Sequence, residues 1–407
     1  MKSVRKKVAQ IGAGGFGACH LKNLSLPEVR ETMELVAIAD PFPISEEIKD
    51  DFNGRDVHFY KDYRELLEKE EMDAVIISTP IPCHFEMTAA CLKKNLFVYL
   101  EKPPVATLPQ LNQLISLDPH NRVQVGFYMP SYYRVRKLLD FIRSGSFGKI
   151  QSIQLMALWP RPTVYYNRAS WVGKLGTLEV PILDGPSTNA MSHYIQLISS
   201  YMSASGEFGS KLESVSGEFY RARPIESYDT CSISGATQNG IAFQILMSHA
   251  YAGKQDTRIS LKTERGDYQI NPDMTLAGPD SKIVDECNGI EHDTNPQLKY
   301  SHLDFSDLLQ RKLLQPRVSL EDCRMFLTIV NAGLESAGDI VSIPSEYKKI
   351  ELTEVGEFHT LSDILPITEN CFEKGISYSD SEAPWAVSPK QIWRYTDGDP
   401  QLKKLLK

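Results

Sequence analysis

The feature that most constrains this chain is the regular return of short apolar runs over its first 127 residues. These runs lie at 7–11, 34–39, 57–60, 73–78, 96–100 and 123–127. Helical stretches such as 82–94 and 108–117 separate them. Near-continuous apolar strands that alternate with helices are typical of a parallel sheet covered on both faces. The sequence therefore predicts an α/β domain with a doubly wound parallel sheet over residues 1–127.

A glycine-rich turn follows the first apolar run. Its sequence is Gly12-Ala13-Gly14-Gly15-Phe16-Gly17, a GxGxxG pattern, and a helical stretch continues to Leu24. The first glycine permits a tight turn, the second lets the backbone approach a pyrophosphate, and the third lets helix and strand pack closely. The phosphates then meet the positive end of the helix. The turn predicts a dinucleotide site of the Rossmann type.

Asp40 ends the second apolar run, 23 residues beyond Gly17. A carboxylate at this place accepts hydrogen bonds from the adenosine ribose 2'-hydroxyl, and it repels a 2'-phosphate. The next residues, 41–45, contain no Arg or Lys that would bind such a phosphate. We therefore expect NAD in preference to NADP.

Two further strand ends carry polar residues. Ser78-Thr79-Pro80 closes the fourth run, and Glu101-Lys102-Pro103 follows the fifth. Ligands of open parallel sheets bind beyond the carboxyl ends of the strands, where both segments and Gly12 fall. Lys102, between an apolar strand and two prolines, is expected to face a nicotinamide ring rather than bulk solvent.

After Gly126 the pattern changes to strands with few helices between them. A helix is predicted at 132–143, and strand-like segments follow at 150–159, 212–222, 230–236, 241–248 and 257–263. This order predicts an α+β domain over 128–350 with a large, mainly antiparallel open sheet, and a C-terminal extension of it over 351–407. The polar stretch 271–296 is expected to form a long loop.

The segment from 166 to 194 is the second candidate for chemistry. Pro186 and Ser187 predict a helix start, which would place Asn189 and His193 four residues apart on one helix face. A neutral imidazole with a pKa near neutrality suits a general base that takes a hydroxyl proton. His193 is therefore a candidate base, and a structural histidine on a helix face is the alternative.

Together these motifs resemble the glucose-fructose oxidoreductase / inositol dehydrogenase (Gfo/Idh/MocA) family. The resemblance rests on the turn at 12–17, Ala39-Asp40-Pro41, Ser78-Thr79-Pro80 with His84, and above all Glu101-Lys102-Pro103. It extends to Phe147-Gly148-Lys149-Ile150 and to the helical segment 319–336. The resemblance implies a Rossmann domain followed by a domain whose sheet covers the cofactor crevice with one face and often forms an oligomer interface with the other.

The activity implied by the resemblance is the NAD-dependent oxidation or reduction of a secondary alcohol in a sugar, cyclitol or sugar derivative. Lys102 would polarise the substrate oxygen, and His193, assisted by Asn189, would take the hydroxyl proton. The implied cofactor contacts are Gly12, Gly14, Gly15, Phe16, Gly17, Asp40, Ser78, Thr79, Pro80, His84, Glu101 and Lys102. The expected substrate contacts are Tyr128, Trp171, Asp184, Asn189 and His193.

Two positions depart from the family pattern. Asn189 stands where the family carries an aspartate, and an amide orients a histidine without raising its basicity through charge. Either Asn189 suffices, or Asp184 serves instead, or activity is weak. Met129-Pro130 stands where family members often carry arginines, and Tyr128 is expected to take over part of their contact.

Two other functions stay open on the sequence alone. One is glycoside cleavage, in which transient oxidation permits elimination and the NAD cofactor is regenerated. The other is a non-catalytic dinucleotide or sugar sensor, which the departures from the family pattern favour. Further polar and aromatic residues suit either substrate binding or ordinary structure, namely Arg221, Arg223, Tyr228, Asp229, Trp159 and Trp171.

Composition narrows the range of partners. A net charge of −8 over 407 residues argues against nucleic acid and against an anionic membrane surface. The 7 cysteines are scattered without CxxC spacing, which is typical of reduced thiols in a cytoplasm rather than of disulfides or a metal site. No apolar run approaches the roughly 18 residues of a membrane span. We expect a cytoplasmic protein with a small-molecule substrate, no metal, and a homodimer or homotetramer built through the second-domain sheet.

Overall fold

The computed structural model describes residues 5–52, 54–290 and 298–406. Contacts divide these residues into two compact units. The first contains residues up to 105, then 109–132 and 298–323, and the second contains 106–108, 133–290 and 324–406. Each unit is made of several separate segments of the chain, whereas the prediction placed domain boundaries after residues 127 and 350. The second cut also runs through a strand, Lys348–Thr353.

The secondary structure of the described residues is as follows. The strands are β1 (Lys6–Ile11), β2 (Met33–Ala39), β3 (His58–Tyr60), β4 (Ala74–Ile77), β5 (Phe97–Leu100), β6 (Val123–Val125), β7 (Ile150–Leu158), β8 (Leu212–Arg221), β9 (Thr230–Thr237), β10 (Ala242–Ser248), β11 (Arg258–Thr263), β12 (Gly266–Ile270), β13 (Leu276–Ala277), β14 (Val341–Ser342), β15 (Lys348–Thr353), β16 (Gly356–Leu361) and β17 (Trp393–Arg394). The helices are α1 (Phe16–Leu24), α2 (Pro27–Arg30), α3 (Glu46–Asp51), α4 (Tyr63–Lys69), α5 (Ile81–Lys93), α6 (Leu108–Leu117), α7 (Tyr133–Arg143), α8 (Thr163–Tyr166), α9 (Ser192–Ala204), α10 (Ser281–Asn288), α11 (Lys299–Leu309), α12 (Arg324–Ala337) and α13 (Ile364–Lys374).

The first unit is built on a six-stranded parallel sheet with the order β3-β2-β1-β4-β5-β6. β4 is buried at every position, which is why its sequence reads as a continuous apolar run. The strand order reverses direction between β1 and β4. In open α/β sheets such a switch point opens a crevice at the carboxyl ends of the strands. The predicted doubly wound sheet is confirmed.

A late segment of the chain completes the core of this unit. Phe305, Leu308 and Leu309 of α11 pack in the same apolar cluster as Val8 and Leu21. Backbone hydrogen bonds to the parallel sheet hold this late segment in place. For example, the N–H of Val125 in β6 donates to the carbonyl of Val318 at 2.9 Å. No local pattern in the sequence marks this return.

The second unit is built on a nine-stranded mixed sheet with the order β13-β12-β11-β7-β10-β9-β8-β14, and β17 pairs with β8. The pairs β10–β7 and β14–β8 are parallel, and the remaining pairs are antiparallel. The mainly antiparallel sheet predicted for the second half of the chain is therefore confirmed.

Both faces of this sheet are covered within the unit. On one face α12 packs so close to β8 that a Cβ on Gly217 would lie 2.4 Å from the carbonyl oxygen of Gly333. On the other face Gln154 and Gln244 donate side-chain hydrogen bonds to the backbone of Phe372 and Cys371 in α13. Helix α13, near the C-terminus, thus packs on the face of the sheet opposite to α12.

The prediction of a long loop over 271–296 is wrong. The stretch expected to be a loop contains α10, because the Asp280 carboxylate caps the helix by accepting from Lys282 N and Ile283 N. Ile283 and Cys287, four residues apart, then bury one face of the helix. The end of that stretch, 291–296, lies outside the described residues. In the described part of the chain, no helix combines the length and apolar character that crossing a membrane requires.

Candidate active site

The strand register of the first unit aligns the predicted cofactor segments. Ile11 is the partner of both Ala39 and Ile77, and Ile77 is the partner of Leu100. The residues that follow these strand ends therefore share one edge of the sheet. Gly12, Asp40, Ser78 and Glu101 are brought together there, next to the switch point between β1 and β4.

The glycine turn has the two kinds of glycine that a dinucleotide cradle needs. A Cβ on Gly12, which has φ +90°, would lie 2.2 Å from the carbonyl oxygen of Ser78, and one on Gly17 would lie 2.3 Å from that of Gly12. Gly14 and Gly15 are exposed, and a Cβ on either would meet no atom within 4 Å. The first pair serves close packing and the second pair leaves open space, so the cradle fits a bound pyrophosphate.

Helix α1 begins at Phe16 directly beyond this turn, and no side chain caps its first turn. Unsatisfied backbone N–H groups and the helix dipole make such a start attractive to phosphate oxygens. Gln10 ties the turn together from below, because its amide donates to the carbonyl oxygens of Gly12 and Gly17 at 2.8 Å each. The cradle is thus preformed by the protein itself.

Two backbone hydrogen bonds anchor Asp40 at the end of β2. One carboxylate oxygen accepts from Ala13 N at 2.8 Å, and the other accepts from Phe42 N at 2.9 Å. Each oxygen has a second lone pair that can accept a ribose hydroxyl. A carboxylate at this position would repel a 2'-phosphate, and the preference for NAD over NADP stays a prediction.

His84 lies beneath the cradle rather than in it. Its ring is 1% exposed, and its nitrogens lie 2.8 Å from the carbonyl oxygens of Pro103 and Thr79. Burial lowers the pKa of His84. A neutral imidazole carries one N–H, so one of the two contacts is a hydrogen bond at a time. His84 therefore joins the loops after β4 and β5 instead of contacting a ligand directly.

Glu101 is the end of a buried chain of polar groups. Its Oε1 lies 3.0 Å from His20 Nε2, and His20 Nδ1 lies 2.9 Å from His302 Nε2. Both histidines are fully buried. Burial, followed by the neighbouring His20, holds the pKa of His302 well below its usual range. With His302 neutral and donating from Nε2, His20 donates from Nε2 to the Glu101 carboxylate.

The backbone around Lys102 is held by the same carboxylate. Lys102 N donates to Glu101 Oε2 at 3.2 Å, and a Cβ on Gly126 would lie 2.7 Å from Glu101 Oε1. The side chain of Lys102 is half-buried. The tight packing around Glu101 fixes the start of the turn from which Lys102 projects.

Sequence reasoning missed His20 and His302. His20 had a readable signal, because Gly17, His20, Leu21 and Leu24 follow the spacing of one buried helix face directly after the glycine turn. His302 had none, since it reaches the site through α11, far along the chain.

The second unit contains the predicted site residues Asp184, Asn189, His193 and Trp171. Asp184 is 3% exposed, and its carboxylate accepts from Gly173 N at 2.7 Å and from Asn189 Nδ2 at 2.8 Å. The preceding residue, Leu183, has φ +53°, a conformation that costs energy for a branched side chain. The amide at 189 is therefore hydrogen-bonded to a buried carboxylate, within a strained and tightly tied loop.

The predicted helix start at Pro186 and Ser187 is wrong by about five residues. Helix α9 begins at Ser192, so Asn189 precedes it and the two residues 189 and 193 do not share a helix face. A local hydrogen bond explains the delay, because Ser192 Oγ donates to the carbonyl of Asn189 at 2.7 Å and competes with helical pairing of that carbonyl. His193 is the second residue of α9 and is 6% exposed.

The remaining aromatic candidates are Trp171, Tyr128 and Trp159, and each has aromatic or cationic neighbours. Trp171 is half-buried and lies under the guanidinium of Arg168, whose carbon is 5.4 Å from the ring centre. Tyr128, in the first unit, stacks at a tilt on Tyr132 with 5.8 Å between ring centres. Trp159 packs against Tyr194 and donates to Thr257 at 3.0 Å, which makes it a packing residue.

Arg223 and Asp229 resolve an alternative that the sequence left open. Both side chains are buried, and they form an ion pair at 3.4 Å. Tyr228 is also fully buried, and its hydroxyl lies 2.6 Å from Ser187 Oγ. These three residues are therefore structural, whereas Arg221 remains near the surface. Across the ranges that the structure describes, no group of three or more His, Cys, Asp or Glu is placed to hold a metal ion.

Two family models match the chain, one on each side of the change in sequence pattern. The model of the oxidoreductase family with an NAD-binding Rossmann fold matches residues 6–128. The model of the GFO/IDH/MocA C-terminal domain matches residues 135–269. Together the two matches cover more than half of the chain.

Curated relatives match only part of the chain. An inositol 2-dehydrogenase/D-chiro-inositol 3-dehydrogenase from Lactiplantibacillus plantarum is 28% identical over 149 residues, which are 35% of this chain and 41% of the relative. The rhizopine catabolism protein MocA from Rhizobium meliloti is 25% identical over 171 residues, 42% of this chain and 52% of that protein. The match thus spans about half or less of the length of these relatives.

Solved structures share the fold over most of the chain. The WlbA dehydrogenase from Chromobacterium violaceum, solved with NADH and UDP-GlcNAcA, superposes with a TM-score of 0.68 at 19% identity, over 85% of this chain and 98% of that one. Myo-inositol 2-dehydrogenase from Lactobacillus plantarum gives a TM-score of 0.62 at 20% identity, over 82% and 97%. The chain therefore belongs to the Gfo/Idh/MocA family of oxidoreductases, with an NAD-binding Rossmann domain followed by the family's C-terminal domain.

Proposed function

We propose that this oxidoreductase is an NAD-dependent dehydrogenase that oxidises or reduces a secondary alcohol of a sugar, cyclitol or sugar derivative. The observation that carries the proposal is the alignment of the glycine cradle, Asp40 and the Glu101-Lys102 turn on one edge of the parallel sheet. A dinucleotide on this edge would present its nicotinamide next to Lys102.

Lys102 and His193 have separate roles in the proposed reaction. The bound nicotinamide supplies a hydride acceptor for oxidation of the alcohol carbon. His193 takes the hydroxyl proton as general base, and Lys102 polarises the same oxygen with its positive charge. The buried Glu101 carboxylate fixes the turn that carries Lys102.

Asn189 and Asp184 are proposed to act together at the position where the family carries one aspartate. The Asn189 amide is held by the Asp184 carboxylate at 2.8 Å, so a negative charge lies one hydrogen bond behind the amide. Asn189 then positions His193 through its side chain, and Asp184 fixes Asn189. This arrangement favours the alternative in which Asn189 suffices over replacement by Asp184 alone and over weak activity.

The substrate class is drawn from the relatives. One named curated relative is an inositol dehydrogenase, and a structural neighbour was solved with UDP-GlcNAcA. Inositols and UDP-GlcNAcA share ring carbons that bear secondary hydroxyl groups. We therefore propose a polyhydroxylated ring as substrate, with the residues around Asp184 and Trp171 as its contacts.

The test is a stoichiometric one. The purified protein is incubated with NAD and a panel of sugars, cyclitols and nucleotide sugars, while NADH absorbance and product are both measured. Equal amounts of NADH and oxidised product support the dehydrogenase. Cleavage of a substrate without net formation of NADH would instead identify glycoside cleavage through transient oxidation. Tight NAD binding without turnover over the whole panel would identify a sensor.

We also propose a cytoplasmic homodimer or homotetramer. All seven cysteines are free, and five of them are buried, as expected for a reducing compartment. The back of the second-unit sheet, the proposed interface, carries α13 at its centre, so a subunit contact there would include α13. Light scattering after size-exclusion chromatography tests the assembly, and a monomeric mass would refute it.

A further inference from the structure

The second unit contains a basic cavity of about 650 Å³ that no step of the proposed reaction uses. It is lined by Arg221, Ala222, Arg223, Pro224, Ile225, Ser342, Ser345, Lys348, Lys349, Ile350 and His359. Four of these described lining residues are Arg or Lys, one is His, two are Ser, and none is acidic. A volume of this size is in the range of small-molecule sites.

The strand pairing explains how the cavity becomes basic. Arg221 ends β8 and pairs with Ser342 of β14, and its Nε donates to Ser342 Oγ at 2.9 Å. In the hairpin of β15 and β16, Ile350 lies opposite His359. Lys348 is two residues before Ile350, so its side chain lies on the same face of the hairpin as His359. Two strands from different parts of the chain thus place positive charges around one space.

Three carboxylates near the lining residues in sequence or by contact already have partners. Asp229 is paired with Arg223, Glu226 lies 3.6 Å from Lys174, and Glu357 accepts from Thr163 at 2.8 Å. Arg223 is therefore compensated, whereas Arg221, Lys348 and Lys349 are the source of the net positive charge in the cavity.

Arg223 lines the cavity but is largely occupied by the protein itself. The Nε of Arg223 is buried and has no hydrogen-bond partner among the described residues, although its Nη2 donates to the carbonyl oxygens of Arg161 and His249 at 2.6 and 3.0 Å. A buried donor without an acceptor costs free energy. Asp229 and these two carbonyls already hold the Arg223 guanidinium, so the charged side chains left to bind an oxygen-rich anion in the cavity are Arg221, Lys348 and Lys349.

We propose that the basic cavity is a binding site for a phosphate group, carried by inorganic phosphate or diphosphate or by an organic phosphate. Phosphate matches the site because its three or more acceptor oxygens suit planar guanidinium and ammonium donors together with serine hydroxyls. The binding requires neither the glycine cradle nor Lys102 and His193, so it stands or falls apart from the dehydrogenase activity.

The test is titration calorimetry of the full chain in saturating NAD, which occupies the dinucleotide cradle. The probes are inorganic phosphate, inorganic diphosphate and UDP, with uridine as the uncharged comparison. Binding of inorganic diphosphate identifies recognition of the free anion, and binding of UDP alone identifies an organic phosphate. Uridine is expected to show no binding that depends on the cavity.

Variants locate the site. Lys348→Gln and Arg221→Gln are each expected to weaken binding at least about tenfold, because each removes a charged donor. Lys262→Gln and Lys374→Gln, which remove exposed lysines of the same unit outside the cavity, are expected to change the affinity less than about twofold. Lys348 lies at the start of a hairpin strand, so its variant keeps the fold, which the thermal transition checks. Absence of binding by every phosphate probe, or equal binding by Lys348→Gln and wild type, would overturn the proposal.

Discussion

The contact between Asn189 and Asp184 gives the sharpest test of the site geometry. Restoring the family residue by Asn189→Asp would ordinarily be expected to help. Here it replaces a 2.8 Å hydrogen bond to a buried carboxylate with a second carboxylate. We predict that Asn189→Asp destabilises the protein.

The magnitude follows from the geometry. Two unit charges about 4 Å apart repel by about 4 kcal/mol at an effective dielectric of about 20. Loss of a hydrogen bond to a charged group adds about 1.5–3 kcal/mol. The pair limits this cost by keeping one proton, which raises the pKa of one carboxyl in the variant. We therefore expect a net loss of about 2–4 kcal/mol in the free energy of unfolding at pH 7.

The pH dependence has a definite sign. The folded variant binds one proton more than the unfolded chain above about pH 4, so its stability falls as the pH rises. The difference between variant and wild type should thus be largest at pH 7 and shrink as the pH approaches about 4. Denaturant unfolding at several pH values measures it.

A charge swap supplies the matched control. The double variant Asp184→Asn with Asn189→Asp again pairs an amide with a carboxylate, and the new amide oxygen can still accept from Gly173 N. It should recover most of the lost stability. A single variant within about 0.5 kcal/mol of wild type at pH 7, or a double variant no more stable than the single one, would refute the assigned contact.

Three further outcomes follow from the first unit. Gly14→Ala should leave the unfolding transition unchanged, because the new Cβ meets no protein atom, but it should weaken NAD binding at least about tenfold, because the Cβ enters the space left for the pyrophosphate. Gly17→Ala should instead lower the free energy of unfolding by several kcal/mol, because its Cβ would lie 2.3 Å from the Gly12 carbonyl oxygen. Asp40→Ala should weaken NAD binding while NADP binding stays equal or improves, as measured by titration of each cofactor. Burial, and to a smaller extent the neighbouring His20, lowers the pKa of His302 in the folded protein. Below about pH 6.5 the unfolded chain therefore binds a proton that the folded protein does not, and the free energy of unfolding decreases as the pH is lowered. His302→Gln should make that decline shallower by up to about 1.4 kcal/mol per pH unit, as measured by unfolding between pH 7 and 5.

The parallel sheet and its cradle were predictable because their determinants are local. β4 is buried on both faces, so its residues had to be apolar in an unbroken run. Gly12 and Gly17 had to be glycine because backbone atoms lie where a Cβ would be. Asp40 follows β2 directly, so its place at the sheet edge followed from the strand itself.

The features that escaped prediction depend on contacts remote in sequence or on competing side chains. His302 reaches His20 across 282 positions, and no periodicity reports such a pairing. Helix α9 starts late because the hydroxyl of Ser192 takes the carbonyl of Asn189, which a helix running through residue 189 would have paired with a backbone N–H. Asp184 could be suspected from its position but not assigned, because its contact with Asn189 requires the unusual backbone of Leu183 between two turns.

The central claim is that Lys102 and His193 handle the substrate hydroxyl proton while NAD takes the hydride. The most direct measurement is kcat for Lys102→Met and His193→Asn on a substrate identified from the panel, together with the Kd of each variant for NAD. We predict that kcat falls at least about a hundredfold in both variants, since general acid–base groups contribute about 10²–10⁴-fold, while His193→Asn binds NAD as wild type does. Wild-type kcat in both variants, with NAD still bound, would contradict the account.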